Sequence, residues 1–242
     1  MRNGEGEDRG PLPSQTLEAV AKTMVRQARE YGFSREDFVR FVNLLLDLAF
    51  EDKEGYIPPA VNRDGAEPGE NPPDDFSIEA KRVNIRRYRD EDYPLLEKWV
   101  SDPEGRLFLL TRTSSGAPDD LKTLLASPSS VFGIVNLEQE PIGALAYLDL
   151  DPVQGKAELR KLIGEPQARG RGFAAEATRF WVEFGLTTLG LRKIYVHTLD
   201  TNLANIRLNE RLGFRVEGLL REECYFDGEF HDLLRMSLVV PR

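Results

Sequence analysis

The stretch from Lys156 to Gly185 constrains this chain most. "KAELRKLIG" reads as a strand, "EPQARGRG" as a short loop, and "FAAEATRFWVEFG" as an amphipathic helix that starts without a spacer. Phe173, Ala177, Phe180, Trp181 and Phe184 fall on one helical face, which predicts packing against a sheet. Gly170 and Gly172 allow backbone conformations and close approaches that side chains forbid. Successive N–H groups at a helix N-terminus form a site for an anion, and Arg169 and Arg171 add charge. On the loop alone, phosphate binding and a plain strand-to-helix turn both stand.

The elements around it set the fold class. "RVNIRRYR" predicts a strand, "DEDYPLLEKWV" a helix and "SSGAPDDLKTLLAS" a short second helix. Strands "VFGIVNL" and "PIGALAYLDLD" follow across the turn "EQE", and then comes "KAELRKLIG". After the long helix come strand "KIYVHTL", helix "NLANIRLNERLG", strand "FRVEGLLREECYF", turn "DG" and strand "FHDLLRMSLVV". This order predicts a mixed α/β (α+β) fold with a largely antiparallel central sheet flanked by helices. The dense charges of "RVNIRRYRDEDY" read as solvated faces of a strand and a helix.

Before that domain, assigned to residues 77–242, the chain has a different character. Residues 1–13, polar and rich in Gly and Pro, predict a disordered tail. Residues 14–52 predict a helical hairpin. Leu17, Val20, Ala21, Met24 and Ala28 keep helical spacing up to a stop at Gly32, and Ser34 with Asp37 forms a capping pair. Phe38, Phe41, Val42, Leu45, Leu48 and Ala49 form the second apolar face. Two such helices cannot bury both faces on each other, so the main domain, a second subunit (a homodimer) or another partner must cover them. Residues 53–76, full of Pro, Gly, Asn and Asp, predict a linker.

Charge narrows the partners. Residues 1–76 hold 16 acidic and 9 basic side chains, and residues 77–242 hold 25 and 23, within a net charge of −9. Neither segment is basic, which argues against direct nucleic-acid binding. The apolar run "FVNLLLDLAF" carries Asp47 and falls far short of the ~20 residues that span a bilayer. "MRNGEGEDRGPLP" lacks the apolar core of a signal peptide, and the single Cys224 cannot form an internal disulfide. A cytoplasmic protein with no membrane partner and no metal is expected.

Three phosphate-binding patterns compete for the loop. A P-loop needs a Lys-Ser or Lys-Thr that is absent. Gly170, Gly172 and Ala175 satisfy G-x-G-x-x-A, but that motif opens a βαβ unit with an acidic residue about 20 positions on. Here it follows a strand meander and Asp200 lies late, which weakens the dinucleotide reading without abolishing it. The third pattern, Gln167-x-x-Gly170-x-Gly172, resembles the pyrophosphate-binding motif of the GNAT superfamily of N-acetyltransferases. Asn202-x-x-Asn205, opening a helix that ends in Leu212-Gly213-Phe214, is similar to that superfamily's second signature. "EGLLREECYFDGEFHDLLRMSL" resembles the C-terminal hairpin of its ribosomal-protein-alanine and polyamine acetyltransferase branch. The likeness covers roughly residues 80–240.

The resemblance implies acetyl-CoA as cosubstrate and direct transfer to an amine in a ternary complex. The implied pyrophosphate cradle is the N–H groups of residues 168–173, so that Gln167, Ala168, Arg169, Gly170, Arg171, Gly172, Phe173 and Ala174 surround it. The pantetheine arm then runs beside Leu162 and Ile163, where the resemblance implies that two neighbouring strands splay apart and an N–H near Leu162 meets the thioester oxyanion. Asn202, Asn205 and Asn209 complete the implied cofactor site, though Asn202 is also a good helix N-cap.

The acceptor amine must lose a proton. Glu158 is the first candidate base, with a salt bridge to Arg160 as its equal alternative, and His231 beside Asp232 is the next. His231 equally suits a packed sheet edge. Many relatives place a tyrosine four residues before the helix-ending glycine to protonate the leaving thiolate. Asn209 stands there and cannot act as a general acid: either it only donates a hydrogen bond to the sulfur, or Tyr225 or water supplies the proton. Cys224 reads as a small core residue. The acceptor that the branch resemblance implies is a protein N-terminus, with a small amine (polyamine, amino sugar or amino acid) as the close runner-up, bound around "LFLLTRTSSG" between the first two helices and the final hairpin. A catalytically silent acetyl-CoA-binding module is the rival from another class.

Overall fold

A computed structural model describes residues 14–34, 37–38, 41–42, 75–109 and 118–240. The expected tail, nearly all of the linker, and Leu45, Leu48 and Ala49 lie outside the described residues. The chain divides into two compact units, Met1–Asp52 and Lys53–Arg242.

In the first unit, helix α1 spans Ser14–Glu30. It stops where Gly32 adopts φ 77°, and Phe33 N–H donates back to Ala28 O at 2.9 Å. The capping pair forms as expected: Ser34 N–H donates to Asp37 Oδ2 (3.0 Å) and Asp37 N–H to Ser34 Oγ (3.2 Å). Phe33, Phe38 and Phe41 meet edge to face, with centroids 6.0–6.5 Å apart.

The second unit carries the predicted elements in the predicted order, plus one short extra strand. They are β1 (Ser77–Glu79), β2 (Val83–Arg87), α2 (Tyr93–Ser101), α3 (Pro118–Leu125), β3 (Val131–Leu137), β4 (Glu140–Asp151) and β5 (Lys156–Ile163). Then come α4 (Phe173–Thr187), β6 (Lys193–Leu199), α5 (Leu203–Arg211), β7 (Arg215–Phe226) and β8 (Glu229–Val239). The strands form one sheet in the order β1-β2-β3-β4-β5-β6-β8-β7. Every neighbouring pair is antiparallel except β5–β6.

Alternation along each strand supplies two cores. On one face α4 buries Phe173, Ala177, Trp181 and Phe184 against Tyr147, Leu159, Ile194 and Val196, with Phe180 only partly covered. Tyr147 stacks on Trp181 at 5.3 Å and donates its hydroxyl hydrogen bond to Trp181 O at 2.8 Å. This face was legible as core because its spacing is helical. The other face packs Leu96, Trp99, Phe108 and Leu121 over Ile134, Ala144, Ala146, Leu148 and Leu162.

One expectation is corrected at the β2–α2 corner. Asp92 is not solvated but 8 % exposed. The Arg86 guanidinium grips both its oxygens at 2.7 Å, and Arg89 N–H adds a bond of 2.9 Å. A planar two-pronged donor matches a carboxylate, so the pair can be drawn under the helix. Burial raises the Asp92 carboxyl's pKa, but the bonds from Arg86 and Arg89 outweigh it and hold it below the usual range. Among the described residues no helix is long and apolar enough to cross a membrane.

Candidate active site

The loop after β5 is built in two steps. Residues Pro166–Ala168 make a tight helical turn, in which Ala168 N–H donates to Glu165 O (3.0 Å) and Arg169 N–H to Pro166 O (3.1 Å). Those two N–H groups are therefore used internally, and the expected cradle shifts forward along the chain. Gly170 and Gly172 then take φ of 72° and 83°, a region that favours glycine. The first backbone bond of α4 runs from Glu176 N–H to Gly172 O at 3.2 Å. It leaves the N–H groups of Phe173, Ala174 and Ala175 at the open helix end.

Arg169 turns inward. It donates to Ile163 O (3.0 Å) and Gly164 O (3.1 Å) and pairs with Asp102 and Glu104 at 3.2 and 3.0 Å. Its charge clamps the loop to the turn after α2. The free-end charge comes instead from Arg171, exposed and 5.0 Å over the Phe173 ring, and from Arg82, which sequence reasoning missed. Arg82 Nε is 2.7 Å from Glu176 Oε2, and its Nη1 donates to Arg171 O at 3.1 Å. No local pattern betrays Arg82; a contact spanning 89 residues puts it there. Gln167 is exposed and donates to Glu165 Oε2 at 3.1 Å.

Beside the loop, two parallel strands part. β5 and β6 pair only from Lys156↔Lys193 to Glu158↔Tyr195. Beyond that, β5 stays on β4 as far as Ile163↔Gly143, and β6 stays on β8 as far as Leu199↔Leu233. A crevice therefore opens at the carboxyl ends of the two parallel strands, the place where open α/β sheets bind ligands. Leu162 and Ile163 lie along its β5 side.

Polar groups sit on both faces at the apex of this crevice. On the α2 face, Glu158 is wholly buried, and its Oε1 lies 2.8 Å from Arg160 Nη2 and 2.8 Å from His197 Nδ1. His197 Nε2 is buried and finds no hydrogen-bond partner among the described residues. On the α5 face, Lys161 Nζ donates to Asn209 Oδ1 at 2.5 Å. Asn209 is wholly buried, with Nδ2 3.8 Å from Met236 Sδ. Burial, and then the Arg160 charge, push Lys161 down to about 7. Asn202 does cap α5, accepting from Asn205 N–H at 3.2 Å, while Asn205 Nδ2 donates to Thr198 Oγ1 at 3.1 Å.

Neither His197 nor Lys161 was expected. A lone lysine between Leu159 and Ile163 on an apolar strand was a readable signal for Lys161. His197 carried none, because the β5–β6 register that brings it to Glu158 is not written locally.

His231 and Tyr225 serve the β7–β8 hairpin. His231 Nε2 lies 2.9 Å from Phe226 O. Tyr225 is 53 % exposed and sets its ring 5.1 Å from that of Phe230. Cys224 packs with Leu233, and burial pushes its thiol up, away from nucleophilic use. Arg106 joins Asp227 at 2.6 Å, which ties the segment after α2 to the hairpin turn. Of the expected acceptor wall, residues 110–117 lie outside the described residues.

A helix-end anion cradle opening onto a crevice between diverging parallel strands is the arrangement the GNAT resemblance implies. The acetyltransferase (GNAT) domain family matches residues 82–215, more than half of the chain, and the chain belongs to that family. It is 30% identical over 105 residues to the spermidine N(1)-acetyltransferase of Escherichia coli K12, covering 43% of this chain and 56% of that one. The chain thus spans about half the length of such curated relatives. An uncharacterized N-acetyltransferase, p20 of Bacillus licheniformis, is 29% identical over 171 residues, covering 67% of this chain and 96% of its own. The fold matches the crystal structure of spermidine N-acetyltransferase from Vibrio cholerae in complex with CoA and spermine. The TM-score is 0.58 at 24% identity, over 65% of this chain and 95% of that one.

Proposed function

We propose that the protein is an acetyl-CoA-dependent N-acetyltransferase that moves the acetyl group directly to a primary amine, with a small polycationic amine as the favoured acceptor. The observation that carries the reading is the parting of β5 and β6 at Glu158, beside a loop with unspent N–H groups. In this reading the pyrophosphate lies on the N–H groups of residues 170–175, flanked by Arg171 and Arg82, and the pantetheine arm extends the β5 edge past Ile163 and Leu162. An N–H near Leu162 faces the oxyanion.

The acceptor's proton goes to the Glu158–His197 pair. When His197 Nδ1–H donates to the carboxylate, Nε2 holds the lone pair, so the imidazole takes the proton and Glu158 orients it. The neutral amine then attacks the thioester carbonyl. Support for a polycation comes from the spermidine acetyltransferases among the relatives and from the acidic hairpin residues Glu222, Glu223, Asp227, Glu229 and Asp232. A protein N-terminus is the second reading, favoured by a putative ribosomal N-acetyltransferase of Bacillus subtilis, 30% identical over 97 residues. Mass-shift profiling of spermidine, spermine, an amino sugar, an amino acid and a free-amine peptide, each with acetyl-CoA and protein, tests the reading. Acetylated polyamine is expected. Tight acetyl-CoA binding with every amine unmodified would leave a binding module instead.

A further inference from the structure

The Glu158–His197 pair accounts for the proton that leaves the amine, but not for the proton that the departing thiolate needs. On the opposite face of the sheet, level with the parting of β5 and β6, Lys161 Nζ lies 2.5 Å from Asn209 Oδ1. Asn209 occupies the position where many family members carry the tyrosine that serves as acid, and its amide cannot give up a proton. Beyond Glu158↔Tyr195, the next β5 side chain on that face after Leu159 is Lys161, and Thr198 would be its β6 counterpart. Thr198 is fixed by Asn205 and Asn209 is wholly buried, so the lysine is held against α5.

We propose that Lys161, held by Asn209, takes over the task of the missing tyrosine: its ammonium stabilises and protonates the coenzyme A sulfur as it leaves. This rests on the acetyl-transfer reading above and adds a residue to it. The step balances. The amine nitrogen forms its bond to the acetyl carbon, the carbon–sulfur bond breaks, and the electron pair stays on sulfur. One Nζ–H proton passes to that sulfur, leaving the products amide and free thiol. Two protons leave nitrogen: the ammonium's goes to His197, and the one shed as the amide forms returns through water to the neutral Lys161, restoring its ammonium. An ammonium that titrates at about 7, as burial and the Arg160 charge dictate here, gives up a proton far more readily than an exposed lysine.

The test reads the sulfur directly. Free CoA is bound to the full-length protein, and the bound thiol is titrated by thiolate ultraviolet absorbance in the wild type, Lys161→Met and Lys161→Arg. A permanent positive charge beside the sulfur, as in Lys161→Arg, should hold the bound thiol about 1–3 pH units below that of CoA in solution. The wild-type ammonium, lost at about 7, should instead make kcat fall as pH rises through that value. Lys161→Met should show neither the depressed thiol nor the alkaline fall in kcat. In turnover, Lys161→Met should lower kcat by about a hundredfold or more with little change in KM for acetyl-CoA, a split that a merely structural lysine would not produce.

A bound thiol that titrates in Lys161→Arg as it does in solution overturns the proposal. A wild-type kcat that does not fall on the alkaline side of about pH 7 also overturns it, even if Lys161→Met fails to fold. So does a folded Lys161→Met with an unchanged thiol titration and kcat. If the wild type does not bind CoA at all, the acetyl-transfer reading itself falls, which is a different outcome from CoA bound with an unperturbed sulfur.

Discussion

At Gly170 the backbone sits at φ 72°, and a Cβ built there meets nothing within 4 Å. Gly170→Val therefore disturbs no packing. It imposes about 1–2 kcal/mol of left-handed strain and covers the N–H groups assigned to the pyrophosphate. The variant should stay folded, with acetyl-CoA affinity down at least about tenfold, a loss of about 1.4 kcal/mol by calorimetry. A folded variant with wild-type affinity would move the cofactor elsewhere. Glu158 and His197 separate by a different contrast. Glu158→Gln removes one member of a wholly buried ion pair and should cost about 3–5 kcal/mol in denaturant titration. His197→Gln should barely move the unfolding midpoint and should lower kcat by about 10²–10⁴. Equal kcat for wild type and His197→Gln would return the base role to Glu158 or to water. Sequence named Glu158 and its bond to Arg160, but the imidazole that completes the set reaches it across 39 residues, and no strand pattern encodes that.

Among the elements, α2 governs how the loop leaves β5. A Cβ on Gly164 would lie 2.1 Å from the Trp99 ring, and Trp99 Nε1 donates to Glu165 Oε1 at 2.8 Å. Gly164→Ala should cost about 1–3 kcal/mol in urea titration and should weaken acetyl-CoA binding as the loop shifts; an unchanged midpoint would mean that the ring yields freely. At the β2–α2 corner the folded Asp92 carboxyl titrates below its unfolded value. Its stabilising share is fully present above about pH 4 and is lost as pH falls through the lower folded value. Melts of wild type and Asp92→Asn should differ at neutral pH and converge in acid. A gap that persists undiminished in acid would show that Asp92 acts by shape alone. Strands and helices with clear period were legible, down to the "DG" turn between β7 and β8. Ser77–Glu79 was not, because three residues at the end of a Pro- and Gly-rich stretch show no period.

For the whole molecule, every strand of the sheet and both of its cores lie within residues 75–240. A chain starting at Asp75 should therefore melt cooperatively and keep its acetyl-CoA affinity, as circular dichroism and calorimetry can check. Loss of cooperative melting would show that the first unit is needed for the second to fold. The fold class was readable because meander and helix order leave few ways to cover both faces of one sheet. The parting of β5 from β6 was legible only through the family resemblance, because where a parallel register ends is not written in any local pattern. The central claim, acetyl transfer from CoA to an amine at that parting, is tested most directly by the initial rate of thiol release from acetyl-CoA with and without spermidine. The account predicts amine-dependent release matched one to one by acetylated amine. Equal release with and without amine, or none with any amine at saturating acetyl-CoA, would contradict it.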